Sequence, residues 1–357
     1  MATSAGGRPL AATEGFAQRE SRPILWWAAL GLAVVLFQIY LYAAWILSGD
    51  FTPAPVGPDP IPASTLFFVR AFEIGSTLTM FAVWYWAWRA CKRDGRLALE
   101  AILVIGWALT WWQDNLTWWA RTNWFYNAYL VNYGNWTRHI PGWVNPVSHI
   151  QAEPIFFTMF GYMGWFTWAS MCAAWSMTWF KRRKPHLSTM QLIVIGWLTL
   201  CLFDLTAEGS FVRTGVYAIP IVVRKWSLWG GQTYQFPLYE SLFFSTVWAA
   251  PGILFFFRDD KGHTIIDRGV DSIKSVRLRP WLRILAMTGF INLCWQPYNM
   301  VWTYITMTGD ATPEGYPSYM RAGQCGEGTR YECGGPDYSI PTQTSTKDPL
   351  KPGASPP

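Results

Sequence analysis

Charge is what this sequence has least of. Only 14% of its 357 residues are Asp, Glu, Lys or Arg, while 51% are apolar, so long stretches carry no charge at all. Such a balance argues against a soluble domain with a charged surface and places the chain among membrane proteins. Histidine is nearly absent too: His139, His149, His186 and His263 are all there are, and none falls inside an apolar run. The His clusters of membrane di-iron oxygenases, and a haem held between intramembrane histidines, therefore cannot be built. The last apolar run has no lysine, which argues against a retinal Schiff base. No Gly-rich phosphate loop, G-x-S-x-G elbow or H-E-x-x-H zinc helix occurs. No internal repeat or pair of matching halves is present, which weighs against a transporter. The expectation is a protein that uses no cofactor and no metal.

What the chain does have is apolar runs of about the 20 residues needed to cross ~30 Å of hydrocarbon. Seven lie near 24–47, 65–88, 99–120, 154–179, 189–210, 238–257 and 281–308. The expected fold is all-α: a polytopic bundle of seven transmembrane helices at 23–308, between a polar tail at 1–22 and a Pro/Gly-rich tail at 309–357. Cations set the orientation. Arg19 and Arg22 precede the first run, Arg89, Lys92, Arg93 and Arg96 follow the second, and Lys181, Arg182, Arg183 and Lys184 follow the fourth. A mixed charged segment from Arg258 to Arg283 follows the sixth. Placing all of these inside puts the N-terminus in the cytoplasm and the C-terminus outside, in a multi-pass protein of the cell membrane. The first run is too long for a cleaved signal and reads as a retained anchor. The net charge of +6 then reflects cytoplasmic loops facing an anionic leaflet, with no nucleic-acid partner.

The connections 121–153 and 211–237 are rich in Trp and Tyr and are expected to lie in the interface or fold over the bundle as a lid. Cys91, Cys172, Cys201 and Cys294 sit in or beside the runs and read as small apolar residues. Cys325 and Cys333 flank "GEGTRYE" in the exoplasmic tail, where a disulfide is chemically allowed. The sequons N-L-T at 115–117 and N-W-T at 135–137 are common by chance and carry no argument.

Polar residues inside apolar runs are expensive, and here they gather in one layer once the topology is drawn. Asp114 lies between Gln113 and Asn115, with Trp112 and Trp118 close by. Glu73, Glu153, Asp204, Glu208 and Glu240 fall at the same outer level. Asn292, Gln296 and Asn299, spaced by four and three, share a helical face there. Each has an ordinary reading as well: Arg70 with Glu73 is a local ion pair, Glu153 and Glu240 begin helices whose dipoles favour acids, and His149 is a loop or capping residue before it is a base. Asp204 and Glu208 are harder to dismiss, because two like charges four residues apart in an apolar segment need a shared proton or cation. Asp114, Glu153, Asp204, Glu208 and Glu240 are thus the candidate proton donors and acceptors. The candidate binding residues are Trp112, Gln113, Asn115, Trp118, Glu73, Asn292, Gln296 and Asn299. Together they predict an acid-ringed, aromatic-walled cavity opening to the exoplasmic side. Such a cavity suits acid-promoted chemistry on a hydrophobic small molecule or lipid, since aromatic faces stabilise a developing cation.

The stretch "WWQDNLTWWARTNWFYNAYLVNYGNW", continuing to "IPGW" and the acid-led "EPIFFTMFGYMGW", resembles the AveC-like spirocyclase family of actinobacterial membrane proteins. Its clearest signal lies in 111–165. The resemblance implies closure of a dihydroxy ketone into a spiroketal, with dehydration in some members, acting on a polyketide- or lipid-like molecule without a cofactor. It assigns no residue, because the family supplies no agreed catalytic motif. Two other readings fit the same residues: a protein that binds or transports a lipid, and a non-catalytic subunit of a larger membrane assembly with unknown protein partners.

Overall fold

Backbone that crosses hydrocarbon must satisfy its own hydrogen bonds, and this chain does so as helices. The computed structural model describes residues 22–310, 313 and 315–324; most of both tails, with Cys325 and Cys333, lies outside the described residues. Four helices are long and apolar enough to cross a membrane: α1 (Pro23–Leu47), α2 (Ala63–Asp94), α6 (Thr189–Thr214) and α7 (Leu238–Phe256). Two more have the length but not the hydropathy: α5 (Trp165–Arg183), which is rich in Trp and Ser, and α8 (Arg279–Thr308), which carries the Asn292, Gln296 and Asn299 face. The third run departs most from expectation. Its helix, α3 (Leu99–Ala108), stops after 10 residues, and the chain continues as a 3-10 segment, Trp111–Trp118. The fourth run opens with a π turn at Ile155–Met159 and the short α4 (Phe160–Met163), where Thr158 turns its hydroxyl to the Pro154 carbonyl and to Glu153.

Small residues let the helices approach closely, as packing in lipid favours. Where α1 crosses α8, a Cβ on Gly31 would lie 1.9 Å from the Leu285 carbonyl oxygen, and one on Gly289 would lie 2.4 Å from that of Trp27. Outward faces are apolar: Leu36, Phe81, Leu202 and Met300 are all exposed, a belt that suits lipid and not water.

The loops form a lid over one end. β1 (Phe125–Tyr126) pairs antiparallel with β2 (Tyr217–Ala218), and β3 (Ser227–Leu228) with β4 (Phe236–Pro237). The short α9 (Ser318–Arg321) packs against β1, and Ala128 donates to the Tyr319 carbonyl. Asparagine shapes the long loop by accepting from the backbone N–H two residues on: Asn127 from Tyr129, Asn132 from Gly134, Asn135 from Thr137 and Asn145 from Val147. These are Asx turns, in which the side chain takes the place of a backbone carbonyl. Asn135 is fully buried and donates to the Ser148 and Gln151 carbonyls, so in the folded protein that sequon serves structure.

Candidate functional site

Ending α3 early carries Asp114 beneath the lid. Its carboxyl accepts from Tyr126 of β1 at 2.7 Å on one oxygen and from Tyr162 of α4 at 2.7 Å on the other. At the start of α7, Glu240 accepts from Tyr298 at 2.8 Å and from the Trp302 indole, both on α8. Glu208, near the end of α6, takes the hydroxyl of Tyr217 from β2. These three acids line one cavity of about 270 Å³, walled mainly by aromatic residues such as Phe157, Phe166, Phe244, Trp248 and Trp295. No Lys, Arg or His is among its lining residues. The carboxyls are therefore met by phenols and indoles, groups that pass or hold hydrogen bonds without neutralising charge.

Two further acids stand behind the wall. Glu153 is fully buried and accepts from the Trp111 indole at 2.7 Å and from Thr158. Burial, then the neighbouring Asp114, push its carboxyl above the usual range, so it keeps its proton. Asp204 is also fully buried, near Glu240 and Ser241, but neither of its oxygens has a donor in good geometry. His149 lies in the lid loop and not at the cavity; burial and then Arg138 hold its ring below the ordinary histidine range.

The expected binding residues surround the cavity without lining it. Asn292 accepts from the Trp112 indole at 2.8 Å and from Gln113 at 2.5 Å, while Gln296 and Asn299 donate to Gln113 at 2.5 and 3.3 Å. This network ties the 3-10 segment to α8 and so fixes where Asp114 points. Asn115 and Trp118 are fully buried beside it, with no partner for either Asn115 amide atom. Glu73 pairs with Arg70 and accepts from the Val131 backbone N–H at 2.6 Å, pinning the lid loop to α2. The layer inferred from span positions thus splits into three acids that reach the cavity, two held behind it and a structural frame. Sequence reasoning missed Tyr126, Tyr162, Tyr217, Tyr298 and Trp302. Their one signal was the density of Tyr and Trp around the acids, which does not say which ring meets which carboxyl. Among the described residues, no group of three or more His, Cys, Asp or Glu side chains is arranged to hold a metal ion.

Residues 94–324 match the family model described as "Spirocyclase AveC-like". No curated protein and no solved structure matches the chain.

Proposed function

Since the chain belongs to the AveC-like spirocyclase family, we propose that it closes, or dehydrates, an oxygenated and largely apolar molecule by proton transfer in the cavity lined by Asp114, Glu208 and Glu240. The observation that carries this reading is the lining itself: three carboxyls, each capped by a tyrosine, converge on one aromatic-walled space with no cationic side chain.

For a dihydroxy ketone the steps balance without any co-reactant. One hydroxyl adds to the carbonyl carbon as an acid protonates the carbonyl oxygen, and a carboxylate takes the proton of the attacking hydroxyl, giving a hemiketal. A second proton transfer expels the hemiketal hydroxyl as water and leaves an oxocarbenium ion. The remaining hydroxyl attacks that ion and returns its proton to a carboxylate, closing the second ring. Asp114, already offered two O–H donors by Tyr126 and Tyr162, suits the accepting role, with Glu153 buried nearby. Glu240 and Glu208 stand as donor and shuttle. The faces of Trp295, Tyr298 and Phe244 stabilise the cation and fix which side is attacked. In this reading the crossings number seven, the N-terminus is cytoplasmic, and the cavity lies in the exoplasmic half of the cell membrane.

The test is turnover by purified protein of a panel of long-chain dihydroxy ketones, followed by mass spectrometry as loss of one water. Asp114→Asn and Glu240→Gln should each slow turnover roughly 100- to 10,000-fold, the usual span for general acid–base groups. Rates in both variants equal to wild type, or no acceleration of any ketone over the buffer reaction, would overturn the proposal.

A further inference from the structure

The cavity's wall is covered unevenly. Beneath the lid Trp124, Tyr126, Tyr217 and Ile219 are all buried, and the loop above is fastened by its asparagine turns, so water on that side meets a closed surface. Every lining residue with appreciable exposure sits instead on α2, α5 or α6, among them Phe72, Trp165, Phe203, Ala207 and Ser210. The gap they frame has a defined rim. Phe72 and Phe211 close its lid end with ring centroids 4.7 Å apart, and the Trp165 indole seals α5 to α2 by donating to Ser76 at 2.9 Å. Small residues keep the middle clear: a Cβ on Gly75 would meet only the Trp165 ring, at 3.9 Å. Just outside lie exposed Phe68 and Leu202, part of the apolar belt.

We propose that the gap between α2 and α6 is a lateral portal, and that the substrate is a membrane-dissolved long-chain molecule whose oxygenated segment enters while its apolar remainder stays in the bilayer. The cavity's size supports this division. At about 270 Å³ it falls just below the ~300–1,000 Å³ typical of pockets that enclose a drug-sized ligand, so it holds a reacting segment and not a long chain. Its polarity selects the segment: Asp114, Glu208 and Glu240 line it beside Tyr126, Tyr162, Tyr217 and Tyr298. Carboxyls and phenols set in an apolar wall favour a ligand that brings oxygens over one that is plain hydrocarbon. The identity of the substrate rests on the acid–base reading above; the route does not.

The experiment uses the full-length protein in phosphatidylcholine vesicles with two photoprobes: a long-chain alkyl ketone bearing a diazirine, and a sulfonated, membrane-impermeant diazirine. After illumination, labelled peptides are mapped by mass spectrometry. The lipid-dissolved ketone should label the α6 rim and the interior at Tyr162 and Phe244, and the sulfonated probe should leave the interior untouched. Ala207→Trp and Ser210→Trp, placed in the gap, should each cut interior labelling several-fold while labelling of the outer belt persists. Two variants are used so that one misfolded protein does not decide the matter; monodisperse elution identifies the folded ones. Interior labelling by the sulfonated probe, or undiminished interior labelling in a folded Trp variant, would overturn the portal. If the ketone enters through the gap but Asp114→Asn and Glu240→Gln turn over ketones as well as wild type, the portal stands and the acid–base reading falls.

Discussion

Glu153 shows how much one side chain's surroundings decide. Its first oxygen satisfies the Trp111 indole and Thr158, its second has no N–H or O–H donor, and its proton is retained through burial and then through Asp114. Glutamine reproduces the acceptor oxygen and the volume, whereas alanine leaves a void and only Thr158 to receive the Trp111 indole. Glu153→Ala should therefore cost about 2–5 kcal/mol, the usual span for emptying a large buried side chain to a methyl, and Glu153→Gln much less. Melting of the purified proteins in detergent checks the order. A group whose folded pKa lies above its unfolded value contributes stability that is fully present below the unfolded pKa and lost as pH rises through the folded one. Wild type should accordingly lose thermal stability as pH climbs above the ordinary carboxylate range, and Glu153→Gln should lose part of that slope. An unchanged slope in the glutamine variant would assign the pH dependence to another group.

Elements were legible where packing only had to agree with hydropathy, and illegible where side chains captured the backbone. The runs behind α1, α6 and α7 end within a few residues of expectation, even though α7 carries Pro251 inside it. The third run reads as apolar through 120, yet α3 stops at Ala108. Thr110 turns its hydroxyl back to the Gly106 carbonyl, and Trp112 and Gln113 bond across to Asn292 on α8, contacts made by the tighter 3-10 geometry and invisible in local periodicity. Glycines give a sharper test at this scale, since their roles differ by what a methyl group would meet. Gly31→Ala drives a Cβ onto the Leu285 carbonyl and must separate α1 from α8, costing at least the ~1–3 kcal/mol of an overpacked site. On α6 a Cβ at Gly209 meets nothing within 4 Å, so Gly209→Ala should be neutral or stabilising by about 0.5–1 kcal/mol through helix propensity. Equal destabilisation by the two would mean that the α1–α8 crossing is looser than it is drawn.

For the whole molecule, a rule about cations groups connections that the packed structure brings together at one end. The connection after α2 and the segment after α7 are far apart in sequence and were assigned to one side only because both are rich in Lys and Arg. In the fold they touch: Arg96 donates to the Lys261 carbonyl at 2.5 Å, and one pocket is lined by Arg93, Arg258 and Arg283 together. Asp114, Glu208 and Glu240 sit instead beneath the lid. What the sequence could not convey is rotation about each helix axis, which is why five acids at one level sort into three that reach the cavity and two that do not. The level itself can be checked without knowing any substrate. Lys92 and Lys181 lie in the last turns of α2 and α5, the cytoplasmic ends in the proposed arrangement, while exposed Lys225 lies in the lid. In intact cells a membrane-impermeant maleimide should modify Lys225→Cys and leave Lys92→Cys and Lys181→Cys unmodified until the membrane is opened, each measured against the native cysteines as background. Modification of Lys181→Cys from outside would invert the molecule and move the acids to the cytoplasmic half. It would leave the cavity, its tyrosines and its lateral gap unchanged, because those depend on packing and not on which side faces out.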